Sequence, residues 1–519
     1  MLKCGLNRAS GIGHRASGIG HRASGIGHRA FDLLLTQKYF YIHSIKSVSN
    51  CLQKLLKQHI SLNNLLFYSI QKLSKPKLLL IFLYLAVVPC TYGLSSFTVN
   101  VIQGNSPKVD NVRLAADNHG FTVNKVFYSE STGNIKEDEI KEFDGNLTLN
   151  DFVIKQLDYQ SLDKQKNYRD NDGDNIDPVQ PFLTTTTTWQ WLDANGVKIP
   201  DKDKNKIIGC GSGYPMPLRL EILNQVQTIS QYGIPRKSNF VTLKKAYKIA
   251  AKPELCYVKP NSSVIEPDSQ WFSVDNNGKY IGWNGKITNR HYLAGGGYSK
   301  DFVPNMGFKV NPTASNGKKF PTTGFPGAKF QLLMSGAQRD YSYSIVANPG
   351  NNVSIDAMGF VTLNGKPTGD GKVTIRAKLI RNTAVQFDYS FNPNSVWANP
   401  QGDFKGTWEQ ASNRCGQLSN LLTRKELTNS PYNNLSVTIG SEEQNVYTRA
   451  IDGTVLGEWG YVTEKTYPQS AWRWLNSIPY WTKDIQNDEQ VFDVYPNSGH
   501  VGISNVKVKP WINYVVCRG

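Results

Sequence analysis

Four aspartates fall within eight residues: Asp170, Asp172, Asp174 and Asp177. Carboxylates this close together offer oxygen ligands to a hard cation, and calcium is the cofactor they suggest. The segment departs from an EF-hand loop. Asn175 stands where that loop needs glycine, and Pro181 where it needs a bidentate glutamate. A solvated acidic turn is the other reading. Further chemistry is sparse. After residue 93 there are three histidines, His119, His291 and His500, and none sits in a His-Glu-x-x-His or Gly-x-Ser-x-Gly context. Gly295, Gly296 and Gly297 lie in a loop with no helix after them to bind a phosphate. Glu442 and Glu443 are an adjacent pair of the kind usually solvated. No catalytic residue is assigned, and no enzymatic activity is expected.

The cysteines suggest structural chemistry. Of seven, Cys4, Cys51 and Cys90 precede residue 93. The other four, Cys210, Cys256, Cys415 and Cys517, are an even number in a chain that reads as exported. Each of the pairs Cys210–Cys256 and Cys415–Cys517 falls within one proposed domain, so these are the bonds expected. The first closes a loop of about 47 residues, a constraint of order 4 kcal/mol. A second group suits recognition. Trp472, Arg473 and Trp474 occupy a segment flanked by Pro, Ser and Asn, and Tyr480 follows. Aromatic and Arg side chains are the usual interface anchors, so these four are the candidate receptor-binding residues. Trp459 and Trp481 are expected in the core.

Short elements must hold these residues in place. Beyond residue 93 the chain is rich in Gly, Asn, Thr, Tyr and Val, and apolar residues alternate in brief runs. That pattern marks exported, mainly β modules. Strands are expected at 97–102, 147–154, 184–192 and 216–223. From 328 to 379, runs at 330–334, 341–346, 353–355, 360–363 and 372–379 alternate with Gly-rich turns, which reads as a small Ig-like sandwich. Residues 381–401 read as a linker. In the last stretch, Ala411 and Cys415 share one helix face, and Thr423 with Glu426 forms a capping box for a second helix.

The segment 408–517 resembles the C-type-lectin-like domain at the tip of bacterial intimin/invasin-type adhesins. The helix ending in Cys415, the run Leu421 to Leu427, Trp459-Gly460, Tyr480-Trp481-Thr482 and Tyr514 to Cys517 carry the likeness. It lacks the Glu-Pro-Asn and Trp-Asn-Asp triplets with which true C-type lectins hold calcium and sugar. Upstream, Trp191 to Gly196, Cys210, Gln231 to Pro235 and Cys256 resemble a domain of unknown function in the same adhesins. The run 353–363 resembles a bacterial Ig-like repeat. The resemblance implies a binding module for a surface partner and does not imply catalysis.

Three copies of Arg-Ala-Ser-Gly-Ile-Gly-His occupy residues 8–28. They read as a repeat of nucleotide origin upstream of the true start. His14, His21 and His28 would be the ligands in a metal-binding reading. Lys72, Lys75 and Lys77 precede an apolar core at 78–88, followed by Thr91-Tyr92-Gly93. This is a secretory signal, too short to span a bilayer. The formal charge of +17 is uneven: 12 of the 58 Lys and Arg lie before residue 94, against one acid, Asp32. The remainder, 46 basic and 40 acidic residues, gives no support for nucleic-acid binding.

The expected organisation is a leader at 1–71, a signal peptide at 72–93, a β-rich domain at 94–320, an Ig-like domain at 321–385 and a lectin-like α+β domain at 386–519. The expected function is a secreted or surface-displayed, outer-membrane-associated adhesin with no transmembrane helix in its mature chain. Its expected partner is a protein or glycan on a host or neighbouring cell. A secreted carbohydrate-active hydrolase and a stalk without a receptor are the alternatives. Glycan turnover would mark the first, and absence of cell binding the second. N-terminal sequencing of the exported protein is expected to begin near Leu94; a mature form retaining residues 1–70 contradicts the signal.

Overall fold

The computed structural model describes residues 103–263, 272–274, 280–282, 297–432, 446–475 and 477–519. The heptad copies, the signal, Cys4, Cys51, Cys90, His291, Gly295, Gly296, Glu442, Glu443 and the strand expected at 97–102 lie outside the described residues. The protein is mainly β, and no described helix exceeds seven residues. Among the described residues no helix is long and apolar enough to cross a membrane.

Alternation builds the first region. Strand Leu218–Thr228 turns Leu218, Leu220, Ile222 and Val226 inward, and it pairs antiparallel with Val241–Ala251, which buries Leu243, Tyr247 and Ile249. A period of two places such residues on one face. Phe182–Thr184 and Thr188–Leu192 extend one side, and Ile140–Phe143 runs parallel along the other. Phe121, Phe143, Phe152 and Trp191 form an aromatic cluster over this face. The Cys210–Cys256 bond, with Cα atoms 5.8 Å apart, ties the loop before Leu218–Thr228 to the strand that opens the next region.

That region is a sandwich. One sheet contains Phe302–Val303, Gly307–Lys309, Leu255–Pro260, Ala328–Met334, Phe360–Leu363 and Val353–Ile355, in that spatial order. The other contains Tyr341–Ala347, Val373–Leu379 and Gln386–Phe391. Phe330, Leu332 and Val361 meet Ile375, Tyr389 and Phe391 in one buried core. The boundaries expected at 320/321 and 385/386 are corrected here. Lys259 stands opposite Gln331, and Tyr389 opposite Ile375, so both boundaries cut through sheets. The expected linker at 381–401 instead supplies Gln386–Phe391 and the start of Val396–Gly406. A strand at 256–258 is expected from the sequence, but its place in the sandwich was out of reach of local reasoning because its partner strand lies beyond a long excursion of the chain.

The last region is α+β. Its six-stranded sheet runs Thr323–Gly324, Val396–Gly406, Asn513–Arg518, Tyr480–Asn487, Gln490–Val494, Val501–Asn505. The chain enters at Thr323–Gly324, departs to form most of the sandwich, and returns parallel at Val396–Gly406. Helix Trp408–Arg414 begins with a capping box, in which Gln410 Oε1 accepts from Thr407 N at 2.9 Å. Helix Arg424–Leu427 begins with the expected box, Thr423 N donating to Glu426 at 2.8 Å. Cys415 closes the first helix and is bonded to Cys517 on the last strand.

Sandwich and α+β unit share one core. Phe320, Phe325 and Phe330 surround Trp459, with centroids 4.8, 5.3 and 6.2 Å from its ring. Beside it the buried Glu458 carboxylate accepts from Thr322 N (2.8 Å), Thr323 N (2.9 Å), Thr323 Oγ1 (2.9 Å) and Thr322 Oγ1. Burial pushes this carboxyl up to about 7, against the pull of those donors. In the unfolded chain it ionises near 4.5. Its contribution to stability is therefore complete below pH 4.5 and is lost as the pH rises to about 7. The loss amounts to roughly 3 kcal/mol. Glu458→Gln is expected to make the fall in stability across this window shallower. Urea unfolding from about pH 4.5 to 7.5 measures it, and an unchanged slope contradicts the assignment.

Candidate recognition surface

The four expected receptor-binding residues do sit together, but two of them face inward. Trp472 is 1% exposed, with its ring 4.9 Å from Tyr480 and 5.8 Å from Phe325. Tyr480 is also buried, and its hydroxyl accepts from Arg473 N at 2.7 Å and contacts Arg473 O at 3.2 Å. Burial raises its phenol far above the usual range. Arg473 is half-buried and pairs with exposed Asp403 at 2.8 Å. Trp474 is half-buried near Tyr495. The expectation that Trp472 is exposed is thus corrected. Its backbone is irregular, as the Pro and Ser content implies, but its side chain fills the shared core. Tyr480, on a central strand, is not an available anchor either. Trp459 and Trp481 are fully buried, and Trp481 Nε1 donates to Gly406 O at 2.7 Å.

The aspartates do not assemble a cage. Asp172 accepts from the backbone N and side-chain Nδ2 of Asn105, and these bonds lower its pKa. Asp170 Oδ1 accepts from Asp172 N at 2.7 Å. Asp177 caps Gln180 N and Val179 N, each at 2.9 Å, and pairs with Arg236. Asp174 is half-buried, and its backbone carbonyl accepts from the Tyr168 hydroxyl at 2.6 Å. Among the described residues no three carboxylates of this segment lie within 4.8 Å of one another. Asn105 and Arg236, distant in sequence, engage Asp172 and Asp177, and Asp170 holds the turn at Asp172. One group of metal-ligating types does converge, Cys210, Glu254 and Cys256, but both sulfurs are engaged in the disulfide.

Sequence reasoning missed the exposed loop 507–512, Lys-Val-Lys-Pro-Trp-Ile. It joins Val501–Asn505 to Asn513–Arg518. Asn505 holds its base: Oδ1 accepts from Lys507 N (3.0 Å) and Val508 N (2.8 Å), and its carbonyl accepts from Trp511 N (3.0 Å). Lys509 adopts a left-handed φ of 57° and turns the chain back. The turn leaves Val508 67%, Trp511 39% and Ile512 56% exposed, with the exposed Lys507 and Lys509 on either side of Val508. Adjacent apolar side chains held out in water on a braced loop make 507–512 a candidate recognition surface. The signal was present in the sequence: an apolar-basic run, broken by proline, between two strands.

Comparison with known proteins agrees with this architecture. Residues 304–391 match the family described as invasin, domain 4, which falls on the sandwich. Invasin of Yersinia enterocolitica is 30% identical over 199 residues, 37% of this chain and 21% of the relative. The chain is intimin/invasin-like. The match spans about a fifth of that relative's length. Among solved structures, invasin, a bacterial integrin-binding protein, is 18% identical with a TM-score of 0.31, over 67% of this chain and 53% of that one. A C-terminal 282-residue fragment of intimin, solved in complex with the intimin-binding domain of the translocated intimin receptor, is 14% identical with a TM-score of 0.30, over 65% and 86%.

In this invasin-like chain the two tryptophans should separate by stability. Trp472→Ala removes a ring from the shared core and is expected to cost about 3–5 kcal/mol. Trp511→Ala is expected to change stability by about 0.5 kcal/mol or less. Urea unfolding of both variants checks this; equal midpoints would refute the burial assigned to Trp472.

Proposed function

We propose that the protein is a cell-surface adhesin whose C-terminal α+β unit binds a receptor on a host or neighbouring cell through the loop 507–512. One observation carries the reading. The large aromatics of this unit are mostly internal, and Trp511 stands out in solvent beside Val508 and Ile512 on a turn braced by Asn505. A pre-set apolar anchor loses little entropy on binding, so its contact energy is retained as affinity. Lys507 and Lys509 precede it in the same loop, which favours a partner with acidic groups beside an apolar centre. Kinship with invasin supports display at the cell surface. Among the described residues His119 offers the hydrolase reading no support: it is buried in the first region, where burial lowers its pKa to about 4.

Replacing Trp511 and Ile512 together with Ser tests the proposal. Hot-spot truncation costs roughly 2 kcal/mol or more, about 30-fold in affinity. The double variant is expected to melt like the parent and to bind a panel of intact cells at least about 30-fold more weakly. Undiminished binding by a folded double variant would move recognition elsewhere on the molecule.

A further inference from the structure

A cleft of about 710 Å³ opens at the seam where the sandwich hands the chain to the α+β unit. Three separate segments wall it: 317–322 leading into Thr323–Gly324, the turn before Val373–Leu379, and the link between Gln386–Phe391 and Val396–Gly406. Lys318 and Lys319 line it from the first segment and Lys372 from the second. None of these three forms an ion pair among the described residues. The one acid in the lining is Asp370, whose carboxylate accepts from Lys372 N at 3.1 Å. Three cations against one anion leave the cleft at a formal +2.

The walls are fixed before any ligand arrives. Asn392 Nδ2 donates to Asp370 O at 2.7 Å, joining the second segment to the third. Asn394 Nδ2 donates to Pro367 O at 2.9 Å, adding another tie to the chain just before Asp370. Lys319 Nζ lies 5.6 Å from the centroid of the buried Tyr389 ring, a cation–π contact that steadies the ammonium. Ser390, on the third wall, contributes a hydroxyl that is paired with Thr374 at 2.8 Å and keeps further hydrogen-bonding capacity.

We propose that this cleft binds an anionic saccharide, a sugar bearing carboxylate or sulfate groups. Three lysines without an ion pair among the described residues line one concavity and attract negative charge, and the Ser390 hydroxyl keeps capacity to meet a sugar hydroxyl. The sole aromatic in the lining, Phe391, is buried, so the cleft offers no platform on which nucleic-acid bases stack. Binding here is independent of the loop 507–512 and would give the protein a second contact with a glycan-coated surface.

The test uses the exported protein on three immobilised polymers: dextran sulfate, polygalacturonate and neutral dextran. Retention is expected on at least one of the charged polymers and not on neutral dextran. Retention on dextran sulfate alone assigns sulfate as the recognised group, and on polygalacturonate alone, carboxylate. The triple variant K318Q/K319Q/K372Q is expected to bind at least about tenfold more weakly, with an unchanged melting temperature. A control, K164Q/K198Q/K202Q, removes the same charge from exposed lysines of the first region and is expected to bind as the parent does. The Trp511 and Ile512 double variant is likewise expected to keep polymer binding. No retention on either charged polymer overturns the proposal. So does an equal loss in both triple variants, which would make net charge the cause.

Discussion

The buried Glu458 carboxylate is the constraint around which the C-terminal half is built. A carboxyl sealed from water is costly unless its oxygens are hydrogen-bonded. Here the donors come from Thr322 and Thr323, at the point where the chain first touches the C-terminal sheet. Next to it, Arg449 is fully buried and directs its guanidinium at Ser262 O, Gly457 O and Glu458 O, at 2.8, 3.1 and 2.7 Å. The Phe302 ring lies 4.5 Å away. Burial lowers the Arg449 pKa, yet three carbonyls and an aromatic face replace the water it loses. Segments before, within and after the sandwich thus satisfy one another's buried polar groups. Removing one partner leaves a buried polar group with fewer hydrogen bonds, which couples the elements more tightly than apolar packing alone.

Rigidity of this kind has a functional consequence. Loops bind well when a stiff scaffold holds them. The α+β unit has few regular elements, and its Cys415–Cys517 bond spans a sequence separation of 102 residues. Closing a loop of that length restricts the unfolded chain by about 4.7 kcal/mol on chain-entropy grounds. Asn505 then fixes the root of the exposed turn with three backbone donors.

Sequence signals differed in reach: the capping box and the cysteine pairings were read correctly, whereas the strand expected at 147–154 is mostly a 3-10 turn at Leu149–Asp151 followed by the short strand Val153–Ile154. Thr423 and Glu426 announce a helix start because a capping box lies entirely within four residues. The alternation of Leu218, Leu220 and Ile222 announces a strand for the same reason. Leu255–Pro260 was placed inside the 94–320 domain, away from the sandwich it belongs to, because its partner, Ala328–Met334, is distant in sequence. Gln386–Phe391 looked like linker because Asn and Pro follow it closely, although Tyr389 and Phe391 alternate inward. Trp472 illustrates a different limit. Composition tells whether a backbone is irregular, but not which way a side chain on it points. The loop 507–512, Lys-Val-Lys-Pro-Trp-Ile, was passed over although its apolar-basic run, broken by proline, stands between two strands.

Site-specific photo-crosslinking on intact cells tests the central claim most directly. A photoreactive amino acid is placed at Trp511, or at Ile234, an exposed apolar position in the first region. The account predicts a covalent adduct with a cell-surface component from position 511 and none from position 234. An adduct from 234 with none from 511 would contradict it.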